Sequence, residues 1–205
     1  MGGEATHFYE RYRPHPWHGI EPGPEAPGAV NVYVEITPFD LIKYELDPHY
    51  GFLRVDRPQR NSSLPPAVYG IVPQTLCGDR VARFCPEAEA GDEDPLDICV
   101  LSEHEINRSE VLLTARVVGG IRTRDNGKSD EKIIGILDGD LAWGGVKDMA
   151  NLPSYMVNRL WHYFSTYKQE PGKKSKVDVL GTYGAGEATA IVQASIEDYR
   201  ERFAT

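Results

Sequence analysis

Gly91-Asp92-Glu93-Asp94-Pro95-Leu96-Asp97-Ile98-Cys99-Val100-Leu101 sets the carboxylates of Asp92, Glu93, Asp94 and Asp97 within six positions, then runs into an apolar, strand-like segment. Like charges this close repel, and each loses solvation if folding draws it inward. Asp94-Pro95 makes a stiff turn, because proline fixes its own φ and biases the residue before it toward extended backbone. Asp97 falls at the start of the strand, between Leu96 and Ile98. A carboxylate at a strand mouth beside others is costly unless a cation compensates it. Hard divalent ions take carboxylate oxygens, and Mg²⁺ uses a few of them while keeping waters for a substrate. A solvated acidic loop is the common reading of such a run; the rigid turn and the strand position weigh against it. An EF-hand does not fit, since the stretch lacks that loop's glycine at position six and glutamate at position twelve.

A second acidic stretch, Asp125-Asn126-Gly127-Lys128-Ser129-Asp130-Glu131-Lys132, also leads into an apolar run, IIGIL. Glu35 and Glu45 lie on the polar faces of two further predicted strands. Lys43 shares a strand face with Glu45, Arg57 ends the next strand, Tyr69-Gly70 sits in a Pro-rich turn, and Tyr167-Lys168 ends a helix. Singly these read as a surface pair, a rim charge and core aromatics. Together they supply what anion recognition needs: Arg and Lys for phosphate oxygens and Tyr hydroxyls to orient them.

The elements that must hold these groups follow from the pattern. Val30, Val32, Val34 and Ile36 alternate with Asn31, Tyr33 and Glu35, which predicts a strand over 30–36. Strands are expected at 41–46 and 52–57, joined by the turn Asp47-Pro48-His49-Tyr50-Gly51 as a hairpin, and at 96–101, 111–121 and 132–137. Helical spacing comes late: Met156, Leu160, Tyr163, Phe164 and Tyr167 form one stripe after a start signal at Asn151-Leu152-Pro153-Ser154. Ala188, Ile191, Val192, Ser195 and Tyr199 form another within 187–203. Short strands followed by helices predict a mainly β fold, a compact β-barrel or sheet with C-terminal helices packed on its side. Residues 1–29, rich in Gly, Pro and aromatics, read as an N-terminal arm in which Trp17 packs against the body; residues 30–205 read as one domain.

The chain of 205 residues carries a net charge of -9, which argues against a nucleic-acid partner, since phosphate backbones demand a Lys/Arg surplus. A small anion read through bound metal remains compatible with it. Cys77, Cys85 and Cys99 form no CxxC pair, so neither a disulfide framework nor a zinc knuckle is indicated. No apolar run approaches a membrane span, and no signal-peptide core opens the chain, so a cytoplasmic location is expected.

The stretch Asp92-Glu93-Asp94-Pro95-Leu96-Asp97-Ile98 resembles the signature of the soluble family I inorganic pyrophosphatases: Asp, a small residue, Asp, Pro, an aliphatic, Asp, an aliphatic. The likeness continues in order through Val34-Glu35-Ile36, Ile42-Lys43-Tyr44-Glu45, Val55-Asp56-Arg57, Tyr69-Gly70, Pro73-Gln74-Thr75, Asp125, Asp130-Glu131-Lys132, His162-Tyr163-Phe164 and Tyr167-Lys168, covering about residues 30 to 185. The resemblance implies an OB-like five-stranded barrel and Mg²⁺-dependent hydrolysis of pyrophosphate to two phosphates, with Mn²⁺ or other divalent ions as possible substitutes. It implies metal ligation by Asp92, Asp97, Asp125 and Asp130, and nucleophile generation by Asp94. Glu35 and Glu45 would act near the site and are counted with Asp94 among the catalytic groups. Lys43, Arg57, Tyr69, Lys132, Tyr167 and Lys168 would bind the phosphates, with Tyr69 also counted among the catalytic groups. It further implies a homo-oligomer, hexamer or dimer. Glu93 departs from the pattern, standing where a small residue, Asp or Asn is usual. So does Pro65, where many members carry Tyr. Two other classes compete: a non-enzymatic OB-fold binding module, which the acid excess disfavours, and a metal-dependent hydrolase of nucleotides or organic phosphates, for which no P-loop glycine pattern occurs.

Overall fold

The computed structural model describes residues 13–60, 64–170 and 172–203, so the first twelve residues of the predicted arm lie outside the described residues. Strand β1 (Ala29–Ile36) is followed by a hairpin, β2 (Ile42–Leu46) and β3 (Leu53–Pro58), and by the short β4 (Val68–Ile71). Helix α1 (Asp79–Ala82), β5 (Ala90–Gly91), β6 (Asp97–Leu101), β7 (Leu112–Asp125), β8 (Lys128–Ser129) and β9 (Lys132–Leu137) come next. A 3₁₀ turn (Met149–Asn151), α2 (Ser154–Thr166), β10 (Val177–Gly184) and α3 (Ala185–Phe203) complete the order.

Five strands close on themselves. β1 pairs antiparallel with β4, and β4 with β6; β6 runs parallel to β9; β9 is antiparallel to β7, and β7 returns to β1. Counted within the ring, the order is first, second, third, fifth, fourth, the OB-like barrel expected, with no unpaired edge in the ring. β10 pairs with β7 outside the ring, and β2–β3 forms a separate two-stranded sheet.

Both faces of the ring strands are buried. Along β6, Ile98 and Val100 join a cluster with Val30, Val32, Val34, Ile133 and, from α3, Ala188, Ile191 and Val192. Cys99 and Leu101 join another with Ile134, Ile136 and the α2 stripe Met156, Leu160, Tyr163, Phe164 and Tyr167. The helices therefore sit where their apolar stripes predict. The alternation in 30–36, by contrast, does not separate core from solvent, since Tyr33 and Glu35 are as buried as the valines. A second departure concerns Tyr69-Gly70: it is not a turn but the middle of β4, whose backbone passes so near β1 that a Cβ on Gly70 would stand 2.0 Å from the Tyr33 carbonyl oxygen.

Topology and bulges position the polar groups. Because β6 and β9 are parallel, both begin at the same end of the barrel, with Asp97 in register with Lys132. The two acidic stretches each precede one of these strands, so they meet there. The β1–β4 register shifts between Val34 and Ile36, leaving Glu35 as the bulged residue. In the hairpin Lys43 pairs with Arg57 but Tyr44 pairs with Val55, so Asp56 is the extra residue beside Lys43.

Candidate active site

At the common start of β6 and β9 lies a cleft of about 210 Å³. Glu35, Glu45, Asp92, Asp94, Asp97 and Asp130 line it as acids, and Lys43, Tyr69, Lys132, Tyr167 and Lys168 as cations and hydroxyls. Arg57 and Asp125 are not in it. They line the adjoining basic cleft with Arg60 and Lys174, and Lys168 stands between the two, its Nζ 2.6 Å from Asp125 Oδ2 and 3.7 Å from Asp130 Oδ2.

Lys132 is the buried centre. Its ammonium bonds Asp97 and Asp130 and donates to the Tyr69 hydroxyl at 3.2 Å. Burial works against its charge, yet Asp130 and Asp97 outweigh that and hold the ammonium well above the ordinary lysine range. Burial also opposes ionisation of Asp130, but Lys132 and Lys168 keep its carboxyl below the usual value. Its neighbours go the other way. Burial, then the charge of Asp130, pushes Asp92 up to about 8. Burial with Asp97 and Asp130 raises Asp94. Glu35 is pushed up to about 8 by burial and by Asp97, although its Oε1 accepts the Leu46 N–H at 2.7 Å. The cleft thus holds more carboxylate than its own cations neutralise.

The acidic loop is pinned by backbone. Cys77 N–H donates to the Asp94 carbonyl at 2.9 Å, and Glu93 N–H to the Cys77 carbonyl at 3.1 Å. Asp94 N–H donates to Asp92 Oδ1 at 3.1 Å, and Leu96 N–H to Thr75 Oγ1 at 2.9 Å. Glu93 has left-handed backbone, φ 67°, and its side chain turns out of the cleft to Arg202 on α3 at 3.3 Å. On the hairpin side, Lys43 bonds Glu45 and lies 3.4 Å from Asp56, which also bonds Arg57. Burial, then Arg57, lowers the Lys43 ammonium. Tyr167 presents a buried hydroxyl with no hydrogen-bond partner among the described residues and is pushed up to about 12, chiefly by burial. Asp56, which links Lys43 to Arg57, is not marked by the sequence pattern; the odd register of the hairpin is what places it.

All the donors a metal would meet here are oxygens, the chemistry of a hard divalent ion, and the surplus of carboxylate fits one. Among the described residues no three Asp, Glu, His or Cys side chains already converge as a ligand shell; the Lys132 ammonium fills the space between Asp97 and Asp130.

The chain matches the inorganic pyrophosphatase family model over residues 32–200. It is similar to the inorganic pyrophosphatase of Chlamydia muridarum, at 41% identity over 92% of this chain and 95% of that one. It is also similar to soluble inorganic pyrophosphatase 2 of Chlamydomonas reinhardtii, at 33% identity over 96% and 94%. The crystal structure of the inorganic pyrophosphatase from Thermus thermophilus superposes with a TM-score of 0.75 at 31% identity, over 88% of this chain and 97% of that one. With the family matched across the whole barrel and both acidic stretches, the chain belongs to the inorganic pyrophosphatase family.

Proposed function

We propose that the chain hydrolyses inorganic pyrophosphate to two phosphates with Mg²⁺, for which Mn²⁺ or another divalent ion can substitute. The observation that carries this reading is the meeting of Asp92–Asp97 and Asp130–Lys132 at one end of the barrel, opposite Lys43, Tyr69, Tyr167 and Lys168. Asp92, Asp97 and Asp130 would hold the ions, with Asp125 reaching the site from the adjoining cleft through Lys168. Bound divalent ions supply charge neutralisation for the phosphoryl oxygens and acidify the attacking water. Asp94, whose proton affinity burial raises, accepts the water's proton at its carboxylate. Lys43, Lys168 and the hydroxyls of Tyr69 and Tyr167 bind phosphoryl oxygens and keep the leaving phosphate in line, with Arg57 approaching from the rim. Positioning and charge stabilisation of this kind dominate phosphoryl transfer. Glu35 and Glu45 hold the hairpin side: Glu35 through the Leu46 N–H, Glu45 through Lys43. A cytoplasmic homo-oligomer completes the reading.

Phosphate release from pyrophosphate, titrated with Mg²⁺, tests it. Release is expected only with the ion present, and Asp97→Asn is expected to lose at least ~10²-fold in rate, the scale of removing one charge-stabilising group. No release with Mg²⁺ present, or full activity in Asp97→Asn, overturns it. ATP in parallel separates a pyrophosphatase from a general phosphoanhydride hydrolase.

A further inference from the structure

The family match begins at residue 32, yet residues ahead of it are built into the molecule. Trp17 is buried with Tyr33, Ile71, Leu76 and Tyr199. Its indole N–H donates to the Thr75 carbonyl at 2.8 Å, its own carbonyl accepts the Gln74 N–H at 2.8 Å, and Gln74 Nε2 donates to the His18 carbonyl at 3.0 Å. Thr75 Oγ1 in turn accepts the N–H of Leu96, inside the acidic loop. One hydrogen-bonded residue thus separates Trp17 from the backbone that carries Asp94 and Asp97.

The same segment grips the other wall of the cleft. The ring of His15 lies so close to Gly51 that a Cβ there would meet its Cδ2 at 2.8 Å and Pro16 Cδ at 3.0 Å. Gly51, at φ 69°, closes the hairpin turn through its N–H to the Asp47 carbonyl at 2.9 Å, and Pro48 of that turn lines the cleft. Leu46 and Leu53, at the turn end of β2 and β3, pack on the Trp17 cluster. An isolated two-stranded sheet is marginal in water, and among the described residues β2–β3 pairs with no strand of the barrel.

We propose that residues 13–19 are a clasp, with Trp17 and His15 as positioning residues: they hold the β2–β3 hairpin, which carries Lys43 and Arg57, at a set distance from the acidic loop. The kinetic part of this inference rests on the pyrophosphatase reading; the structural part does not. Full-length Trp17→Ala, Trp17→Phe and His15→Ala chains test it by amide hydrogen exchange and by steady-state kinetics on Mg²⁺-pyrophosphate.

In Trp17→Ala and His15→Ala, the amides of Asp47 and Gly51 are expected to exchange ~10-fold faster or more, while those of Cys99 and Ile134 in the barrel stay near wild type. KM for pyrophosphate is expected to rise by roughly 5- to 10-fold with a smaller change in kcat, because the hairpin binds substrate and the barrel end carries the acids. Trp17→Phe keeps the ring without the indole N–H and is expected to restore most of the hairpin's protection and KM. Unchanged hairpin exchange, equal acceleration in hairpin and barrel, or an unchanged KM overturns the clasp. A wild-type chain that releases no phosphate sinks the functional reading instead, and the exchange arm still decides whether the clasp exists.

Discussion

Glu35 sits in the barrel's bulged strand, where its carboxylate accepts the Leu46 N–H and faces Asp97 on one side and Lys43 and Lys132 on the other, and its burial decides which protonation state folding favours. With its proton affinity raised from 4.5 to about 8, the folded chain binds that proton more tightly than the unfolded chain does. Its contribution to stability is therefore complete below about pH 4.5 and is lost as pH rises through about 8. Without divalent ions, the wild type is expected to lose stability over this window relative to Glu35→Gln, by on the order of a few kcal/mol at pH 8, with the two alike at pH 4.5. Urea unfolding at both values in EDTA measures this; parallel pH profiles would show that Glu35 is not the group responsible. Glu93 makes a contrasting case. Its side chain is 62% exposed and its bridge to Arg202 is a surface pair, a type worth about 0–1 kcal/mol. Glycine takes its left-handed backbone without strain. Glu93→Gly is therefore expected to change stability by less than about 1 kcal/mol and to leave pyrophosphate hydrolysis at the wild-type rate. A large loss of hydrolysis in that variant would show that the side chain does more than point outward.

The parallel pairing of β6 with β9 is the element-scale fact that makes the site, and it was only half visible in the sequence. The strands over 96–101 and 132–137 were legible from apolar runs, and so were the two acidic stretches ahead of them. Their side-by-side start was not, because strand order is long-range information that periodicity does not carry. β4 escaped for a different reason: Val68–Ile71 is four residues, buried on both faces, with no alternation to mark it. β10, over Val177–Gly184, was likewise missed, because it is half-exposed and lies beside β7 outside the ring. The helices are legible because their apolar stripes are buried, although α3 also buries Ala194, Ile196 and Asp198 beside its stripe. The acidic loop depends on β5 as well. Gly91 lies against the Cys77–Gly78 backbone, where a Cβ would meet the Cys77 carbonyl oxygen at 1.9 Å. Gly91→Ala must push the loop away and is expected to cost about 1–3 kcal/mol, the range for overpacking a close contact. Because Asp92 follows directly, more Mg²⁺ should be needed for half-maximal activity. An unfolding midpoint and a Mg²⁺ requirement both at wild-type values would mean that the loop is not held there.

At the scale of the whole molecule, the chain carries a net charge of -9 and gathers Glu35, Asp92, Asp94, Asp97 and Asp130 around one cleft, where burial makes their charge costly. The barrel core tolerates this because the acids enter from strand ends and loops, leaving Ile98, Val100, Ile133, Ile134 and Ile136 to pack the interior. Within the cleft, Lys132 is shared by two carboxylates and Lys43 and Lys168 are held toward its edges, so the site is under-neutralised without added cation. Any cation that binds the folded chain and not the unfolded one must stabilise it by mass action, about 2.7 kcal/mol when present at 100 times its Kd. Chelation is therefore expected to lower the thermal midpoint at neutral pH, and Mg²⁺ or Mn²⁺ to raise it again in a concentration-dependent way, without any substrate present. Asp97→Asn removes one of the acids and is expected to shrink that shift sharply, and its metal-free midpoint is expected to fall, since the buried Lys132 ammonium loses one of its two carboxylate partners. Differential scanning calorimetry of both chains, with EDTA and across a Mg²⁺ series, makes the comparison. A wild-type midpoint indifferent to both chelator and ion would mean that the carboxylates of this cleft are not there to gather a cation.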